Sequence, residues 1–187
     1  MADSKPKILN KSEIAQTRYF RIEEVDLEFS NGEKRTYERL SNRSQGAVLI
    51  IAFPSADTFL MIREYAVGME RYELTLPKGK IDPGEDILTA ANRELIEETG
   101  YRSERLTHLH SLSLASGYST HFTHVVLAEN LTPETAEGDE PEPLEIVPWK
   151  VNQMHDLLQQ AECSEARTFA ALYVVQQHLL QRADDKS

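Results

Sequence analysis

Residues 79–101, GKIDPGEDILTAANRELIEETGY, predict a loop that runs directly into a helix. Asp82-Pro83-Gly84 has the composition of a tight turn. From Asp86 onward, apolar residues recur at the spacing of a helix. Gly100 stands where a left-handed C-cap would end that helix. The other parts of the chain are interpreted by their relation to this loop–helix unit.

Three carboxylates share one face of the predicted helix, because Glu94, Glu97 and Glu98 stand at i, i+3 and i+4. Like charges at this spacing weaken an isolated helix, so such a cluster usually surrounds a cation. Mg²⁺ is the natural candidate, since hard cations take carboxylate and carbonyl oxygens. The alternative interpretation is a solvated acidic helix face.

The spacing G-x5-E-x7-R-E-L-x-E-E-x-G resembles the signature of the Nudix hydrolase family. The positions that carry this resemblance are Gly79, Glu85, Arg93, Glu94, Leu95, Glu97, Glu98 and Gly100. Tyr101 departs from the pattern, which usually has an aliphatic residue at that packing position. The resemblance implies a metal-dependent enzyme that hydrolyses a diphosphate bond.

Within that family, the chain is most similar to the ADP-ribose pyrophosphatase branch. The similarity extends over VDLEFSNGEKRTYER, IREYAVG, YELTLPKG and EGDEPEPL, from Val25 to Leu144. It implies cleavage of compounds in which ADP is linked to a second group X (ADP-ribose, diadenosine triphosphate or NADH). The products would be AMP and X-phosphate. Mg²⁺ would be the cofactor, with Mn²⁺ as an alternative. The branch also implies a homodimer, with the N-terminal hairpin as a possible exchanged element.

The resemblance also assigns roles to the residues of the signature. Glu94, Glu97 and Glu98 would bind the metal together with the backbone carbonyl of Lys78, and Gly79 would permit the close approach. We count Glu94 among the catalytic residues as well. Glu85 and Arg93 would form a salt bridge that orients the loop against the helix, which is a supporting role.

A general base is expected outside the helix, in the acidic segment TPETAEGDEPEP. In the resembled branch a mobile acidic loop carries a catalytic glutamate. Glu140 and Glu142 are the matching candidates, and Glu142 is preferred. The alternative is that this segment is only a solvated acidic surface.

Four residues are candidates for substrate binding. Arg43 and Arg63 could engage phosphates, because guanidinium groups match phosphate oxygens, although Arg63 could equally pair with a surface carboxylate. Glu73 could bind substrate or stabilise the sheet, and Tyr118 could line the nucleoside pocket. The branch often has a proline just before that point, where this chain has Ser116-Gly117, and this difference favours a broad range of ADP-linked substrates.

Strands outnumber helices in the predicted pattern, which indicates an α+β protein or a three-layer sandwich. The resemblance implies an α/β/α sandwich with a mixed sheet and an N-terminal antiparallel hairpin. We divide the chain into a flexible tail (1–12), a hairpin region (13–44) and the Nudix domain (45–187). Asn31-Gly32 predicts a two-residue hairpin turn. Two C-terminal helices are expected, over Asn152–Gln160 and Glu165–Arg182.

The composition argues against several classes of function. The formal net charge of −11 argues against a nucleic-acid or anionic-membrane surface. No apolar run is long enough to span a bilayer, and the polar start has no signal-peptide core, so a cytoplasmic protein is expected. The single cysteine, Cys163, is interpreted as an inert thiol. His108 and His110 share a strand face, but no third ligand is spaced to complete a zinc site.

Two rival functions stay open at this point. One is a Nudix hydrolase of nucleoside triphosphates or capped RNA, and the absence of a basic stripe counts against the RNA version. The other is a non-catalytic nucleotide-sensing domain, which would be expected to lack part of the carboxylate set.

Overall fold

The computed structural model describes residues 5–42, 45–136, 138 and 141–184. The strands are, in chain order, β1 (Lys7–Gln16), β2 (Arg21–Glu28), β3 (Lys34–Ser41), β4 (Ala47–Ala52), β5 (Thr58–Ala66), β6 (Arg71–Thr75), β7 (Lys78–Lys80), β8 (Tyr101–Ser113), β9 (Phe122–Pro133) and β10 (Glu145–Lys150). The helices are α1 (Ile87–Thr99), α2 (Ala166–Asp184) and a 3₁₀ helix over Val151–Gln159. The protein has the predicted α+β fold.

The chain forms two compact units. The first consists of Met1–Gln45 with Ser113–Phe122, and the second of Gly46–Leu112 with Thr123–Ser187. Backbone hydrogen bonds explain why Ser113–Phe122 belongs to the first unit: the Leu40 N–H donates to the Tyr118 carbonyl (2.8 Å). The domain limit drawn at residue 44 stays a prediction, whereas the limit at residue 12 lies inside β1.

The first unit contains an antiparallel sheet in the order β1-β2-β3. The predicted hairpin is confirmed as β2–β3, but its loop has three residues rather than two. The Phe29 N–H donates to the Glu33 carbonyl (2.9 Å), and Gly32 adopts a φ of 83°. A three-residue loop of this kind needs a left-handed residue at its end, which glycine supplies.

The expectation of a flexible tail over residues 1–12 is wrong for residues 7–12, which form part of β1. β1 pairs with β2 along its whole length, from Lys7↔Glu28 to Gln16↔Arg21. Its side chains are almost all exposed, so no apolar alternation marks the strand in the sequence. Backbone pairing and cross-strand charges such as Arg21–Glu13 (2.8 Å) hold it instead.

The second unit is the predicted sandwich around a mixed four-stranded sheet, ordered β7-β4-β9-β8. β4 runs parallel to β9 and antiparallel to β7. One face packs against α1 through a core of Val48, Ile50, Ala52, Ala90, Ala91, Leu95, Val126 and Ala128. The other face packs against α2 through Leu49, Ile51, Val125, Leu127, Ala171, Leu172 and Val175. β4 is thus buried on both faces, as its unbroken apolar run predicts.

A second, antiparallel sheet in this unit has the order β10-β5-β6. It pairs Glu145 with Arg63 and Tyr65 with Tyr72. β6 leads directly into β7 and so connects this sheet to the loop before α1.

The helix α1 has the ends that its sequence predicts. Asp86 is the N-cap, and its carboxylate accepts from the backbone N–H groups of Leu88 and Thr89. Gly100 ends the helix with a φ of 70° and donates its N–H to the Ile96 carbonyl. These two caps fix where the helix begins and ends.

The first of the two predicted C-terminal helices is a 3₁₀ helix, not an α-helix. It spans Val151–Gln159, and no side chain caps its N-terminal end. Its last turn closes with an i to i+3 hydrogen bond from the Gln160 N–H to the Leu157 carbonyl (3.1 Å). In the part of the chain that the structure describes, no helix is long and apolar enough to cross a membrane.

Candidate active site

The three glutamates of α1 differ in their exposure to solvent. Glu98 is buried, with 8% of its surface accessible. The side chains of Glu94 and Glu97 are 13% and 23% exposed. The acidic face is therefore packed against protein and is not a solvated surface.

Glu94 lies against the backbone of β7. A Cβ built on Gly79 would overlap the Glu94 carboxylate. A side chain at residue 79 would force the Glu94 carboxylate to move, so glycine lets this carboxylate lie against the strand, which is a physical reason for the glycine in the signature.

Glu98 is anchored on the neighbouring residue of the same strand. Its carboxylate accepts from the Lys78 backbone N–H (2.8 Å). Burial raises the pKa of Glu98 to about 8, and the charges of Glu94 and Glu64 add to the effect, while Lys78 opposes it. A buried carboxylate in this environment is poorly compensated without a further cation.

Arg93 connects the loop to the helix. Its guanidinium donates to both oxygens of Glu85 (3.1 and 3.0 Å) and to the Lys80 carbonyl (3.0 Å). The hydrogen bonds from Arg93 lower the pKa of Glu85. Arg93 also donates to Glu94 (2.8 Å) and Glu97 (3.1 Å), so one cation bridges the loop and two of the three helix glutamates.

Within the described residues, no group of three or more His, Cys, Asp or Glu side chains is already arranged as a metal site. Arg93 accounts for part of this, since it binds Glu94 and Glu97 through one guanidinium nitrogen. The donor chemistry nevertheless fits a divalent cation. Glu94 and the buried Glu98 are hard oxygen donors that line one cavity beside Gly79.

This cavity, which we call the carboxylate cleft, has a volume of about 480 Å³. Its lining comprises Ala47, Glu64, Lys78, Gly79, Lys80, Asp82, Arg93, Glu94, Glu98 and Arg167. Acidic and basic side chains both line it, and Glu64 forms an ion pair with the Lys78 ammonium. Such a mixture suits a metal together with an anionic ligand.

A second cavity of about 680 Å³ shares Glu64, Lys78 and Arg167 with the carboxylate cleft. We call it the hairpin cavity, because Tyr65, Val67 and Met69 of the β5–β6 hairpin form part of its wall. The two cavities are therefore neighbours, with two cationic side chains at their junction.

Four side chains of the cleft have no functional role that the sequence predicts: Glu64, Asp82, Arg167 and Lys78. β6 and β7 bring Lys78 to the site, and α2 brings Arg167 from far along the chain. Isolated charged residues of this kind carry no spacing signal in the sequence. Only the position of Lys78 beside Gly79 could have indicated one of them.

Glu142, the preferred candidate for the general base, lies before β10. Its carboxylate accepts from the Tyr72 hydroxyl (2.6 Å), a contact that the sequence did not reveal. The other loop candidate, Glu140, lies outside the described residues, as does the predicted phosphate ligand Arg43.

Two of the predicted substrate ligands already have protein partners. Arg63 donates to both oxygens of Glu162 (3.2 and 2.8 Å) and pairs with Glu145. Glu73 is buried and accepts from Ser164 N–H (3.0 Å) and from Arg71 (2.6 Å). Burial would raise the pKa of Glu73, but these hydrogen bonds outweigh it and the pKa is lowered. These contacts match the structural alternatives stated for Arg63 and Glu73.

Tyr118 belongs to the first unit and is 60% exposed. Within that unit its backbone accepts the Leu40 N–H described above. Its assignment to the nucleoside pocket remains a prediction.

Cys163 is buried, and burial raises the pKa of its thiol to about 11. Such a thiol is a poor nucleophile.

Two of the histidines share a hydrogen-bond partner. The Ser111 Oγ lies 3.1 Å from the His108 Nε2 and 2.8 Å from the His124 Nδ1.

Comparisons with known proteins cover both parts of the chain. The NUDIX domain family matches residues 43–173, and the NudE-type Nudix hydrolase N-terminal domain matches residues 6–39. The ADP compounds hydrolase NudE of Escherichia coli K12 is 49% identical over 175 residues, which are 94% of each chain. The ADP-ribose pyrophosphatase of Bacillus subtilis 168 is 29% identical over 178 residues (94% of this chain and 95% of the relative).

A solved structure described as an ADP compounds hydrolase superposes with a TM-score of 0.88 at 47% identity. The match covers 97% of this chain and 98% of the other. The similarity therefore extends over both units and is not confined to the signature.

Proposed function

The chain belongs to the Nudix hydrolase family, and from this premise we propose that it cleaves the diphosphate bond of ADP-linked compounds, releasing AMP and X-phosphate. Members of the family generally need a divalent metal. The single observation that carries the proposal is the carboxylate cleft. It brings Glu94 and the buried Glu98 beside the Lys78–Gly79 backbone, with Lys78 and Arg167 at its border with a second cavity.

The cofactor in this proposal is Mg²⁺, with Mn²⁺ as the alternative. Glu94, Glu97, Glu98 and the Lys78 carbonyl would hold it, because all four are oxygen donors. Glu94 and Glu98 line the carboxylate cleft, whereas Glu97 lines an adjacent cavity that shares Arg93 with the cleft. When bound, such an ion neutralises phosphate charge and lowers the pKa of water. Glu97 would have to exchange its contact with Arg93 for the cation.

The protein's own side chains have separate tasks in this reaction. Lys78 and Arg167, which pair with Glu64 and Glu165, would exchange these carboxylates for the substrate phosphates at the junction of the two cavities. Glu142, or Glu140, would accept the proton of the attacking water. Arg93 and Glu85 would keep the loop and the helix in register, so that the carboxylates retain their positions.

Two further expectations belong to the same proposal. We propose a homodimer, supported by exposed apolar side chains in the first unit such as Tyr19 (78% exposed) and Phe20 (61%). A monomer in light scattering at micromolar concentration would refute it. A cytoplasmic location remains proposed, and the buried, unpaired Cys163 agrees with a reducing compartment.

The proposal is tested by incubating the protein and Mg²⁺ with ADP-ribose, diadenosine triphosphate, NADH and a nucleoside triphosphate in parallel. We expect AMP from the ADP-linked compounds and slower turnover of the triphosphate. Nucleotide binding without turnover of any compound would contradict the enzyme and favour a sensing domain. Preferred turnover of the triphosphate would contradict the substrate class.

A further inference from the structure

Tyr72 and Glu142 are 70 positions apart in the sequence, and the phenol donates to the carboxylate at 2.6 Å. Tyr72 lies on β6, seven residues before Gly79, on the strand that leads to the carboxylate cleft. Glu142 lies three residues before β10. The hydrogen bond therefore ties the acidic segment to the part of the sheet that supports the cleft.

The sheet brings these two residues together from two directions. β10 and β6 both pair with β5, so the segment before β10 runs beside the end of β5. Glu145, the first residue of β10, pairs in register with Arg63 and also forms an ion pair with it. Backbone pairing thus fixes the chain from Glu145 onward, and the hydrogen bond from Tyr72 fixes it at Glu142.

The Tyr72 ring has a fixed place as well. Tyr65 is its direct cross-strand partner, and the two rings pack edge to face with centroids 5.5 Å apart. Tyr65 in turn lines the hairpin cavity next to the carboxylate cleft. The neighbouring Glu73 points to the other face of the strand, where Ser164 and Arg71 hold it. Tyr72 cannot rotate away without losing its contact with Tyr65.

We propose that Tyr72 is a positioning residue, which holds the Glu142 carboxylate in place for proton transfer during hydrolysis. The inference rests on the proposed function and on Glu142 as the base. The phenol donates to one oxygen of the exposed Glu142 carboxylate. A carboxylate has two acceptor oxygens, so it can still accept a proton from the attacking water. The phenol does not touch the substrate in this scheme and acts only through Glu142.

The test is a double-mutant cycle with Tyr72→Phe, Glu142→Gln and the double variant, measured with ADP-ribose and Mg²⁺. Phenylalanine keeps the ring contact with Tyr65 and removes only the hydroxyl. We expect Tyr72→Phe to lower kcat about 10-fold, the lower end for an outer positioning partner, with little change in KM. In the Glu142→Gln background the same substitution should have no further effect. Tyr173→Phe, at an exposed tyrosine of α2, is the matched control.

A second measurement does not depend on turnover. The hydrogen bond to the Glu142 carboxylate raises the pKa of Tyr72. Titration of ¹³C-labelled tyrosines by NMR, with Tyr72→Phe to assign the signal, should show Tyr72 ionising at lower pH in Glu142→Gln than in the wild type. An unchanged titration would overturn the contact itself.

The outcomes separate this inference from the proposed function. Wild-type kcat in Tyr72→Phe, or an equal loss in both backgrounds, would overturn the positioning role while ADP-ribose hydrolysis stands. Full activity of Glu142→Gln would do the same by removing the base. A wild-type protein that hydrolyses no ADP-linked compound would refute the proposed function, and the inference with it.

Discussion

The Glu94 carboxylate occupies the space in which a side chain on residue 79 would have to stand. This contact joins the first strand of the signature, β7, to the middle of its helix, α1. It shows that the glycine and the glutamate of the signature depend on each other. The turn of the loop is not what requires glycine at this position.

Gly79→Ala should therefore reduce activity more than stability. The added methyl group would come within 1.8 Å of the Glu94 Cδ and would displace this carboxylate by more than an ångström. A misplacement of ~1 Å can already cost about 100-fold in rate. Steady-state hydrolysis of ADP-ribose with a Mg²⁺ titration measures this. Gly68→Ala is the control, because nothing lies within 4 Å of a Cβ at Gly68. Equal activity of the two variants would refute the steric argument.

Glu98→Gln should abolish most turnover, by at least about 100-fold, the scale for losing one preorganised electrostatic group. The same substitution should stabilise the metal-free protein. The pKa of Glu98 is raised from 4.5 to about 8, so its contribution to stability is full below 4.5 and is lost as the pH rises through 8. The melting-temperature advantage of Glu98→Gln should grow between pH 5 and pH 8.

With Mg²⁺ added, the wild type should melt at a higher temperature than Glu98→Gln, because the ion stabilises a folded protein that binds it. Differential scanning fluorimetry at several pH values, with EDTA and then with Mg²⁺, measures both effects. A wild-type melting temperature that does not change when Mg²⁺ is added would argue against Glu98 as a metal ligand. Wild-type turnover in Glu98→Gln would rule it out.

Arg93→Lys should lower activity about 10- to 100-fold, as expected for a group that orients metal ligands. Lysine keeps the charge but cannot bind both oxygens of Glu85 while reaching Glu94 and Glu97. The Mg²⁺ concentration for half-maximal activity should rise as well. Arg102→Lys, at an exposed pair with Glu134 (3.5 Å), is the control and should behave as wild type. Similar losses in both variants would show that the contacts of Arg93 with the three glutamates do not cause the loss.

Glu73→Gln distinguishes a substrate ligand from a structural residue. Glu73 accepts from Ser164 just before α2, so the substitution should lower stability by about 1–3 kcal/mol, the cost of disturbing a buried hydrogen-bonded carboxylate. The KM for ADP-ribose should stay near the wild-type value. Urea unfolding and steady-state kinetics measure the two effects separately. A raised KM with unchanged stability would restore Glu73 as a substrate ligand.

The sequence predicted α1 most completely, because its information is local. The caps at Asp86 and Gly100 and the i, i+3, i+4 spacing of the glutamates lie within one short segment. β1 escaped prediction because its side chains are almost all exposed, and a strand held by backbone pairing leaves no apolar pattern. The type of helix at Val151–Gln159 was likewise missed, since amphipathic spacing does not separate a 3₁₀ helix from an α-helix.

The family, the fold class and the helix that carries the carboxylates could thus be identified from the amino-acid sequence. Contacts between residues far apart in the chain became visible only in the folded protein. Arg63 reaches Glu162 across 99 positions, and Tyr72 reaches Glu142 across 70. Such pairs depend on how β5, β6 and β10 align, and strand register is set by long-range pairing that no local spacing encodes. For that reason the glutamates of the signature could be named from the sequence, whereas the long-range partners of Arg63 and Glu142 could not.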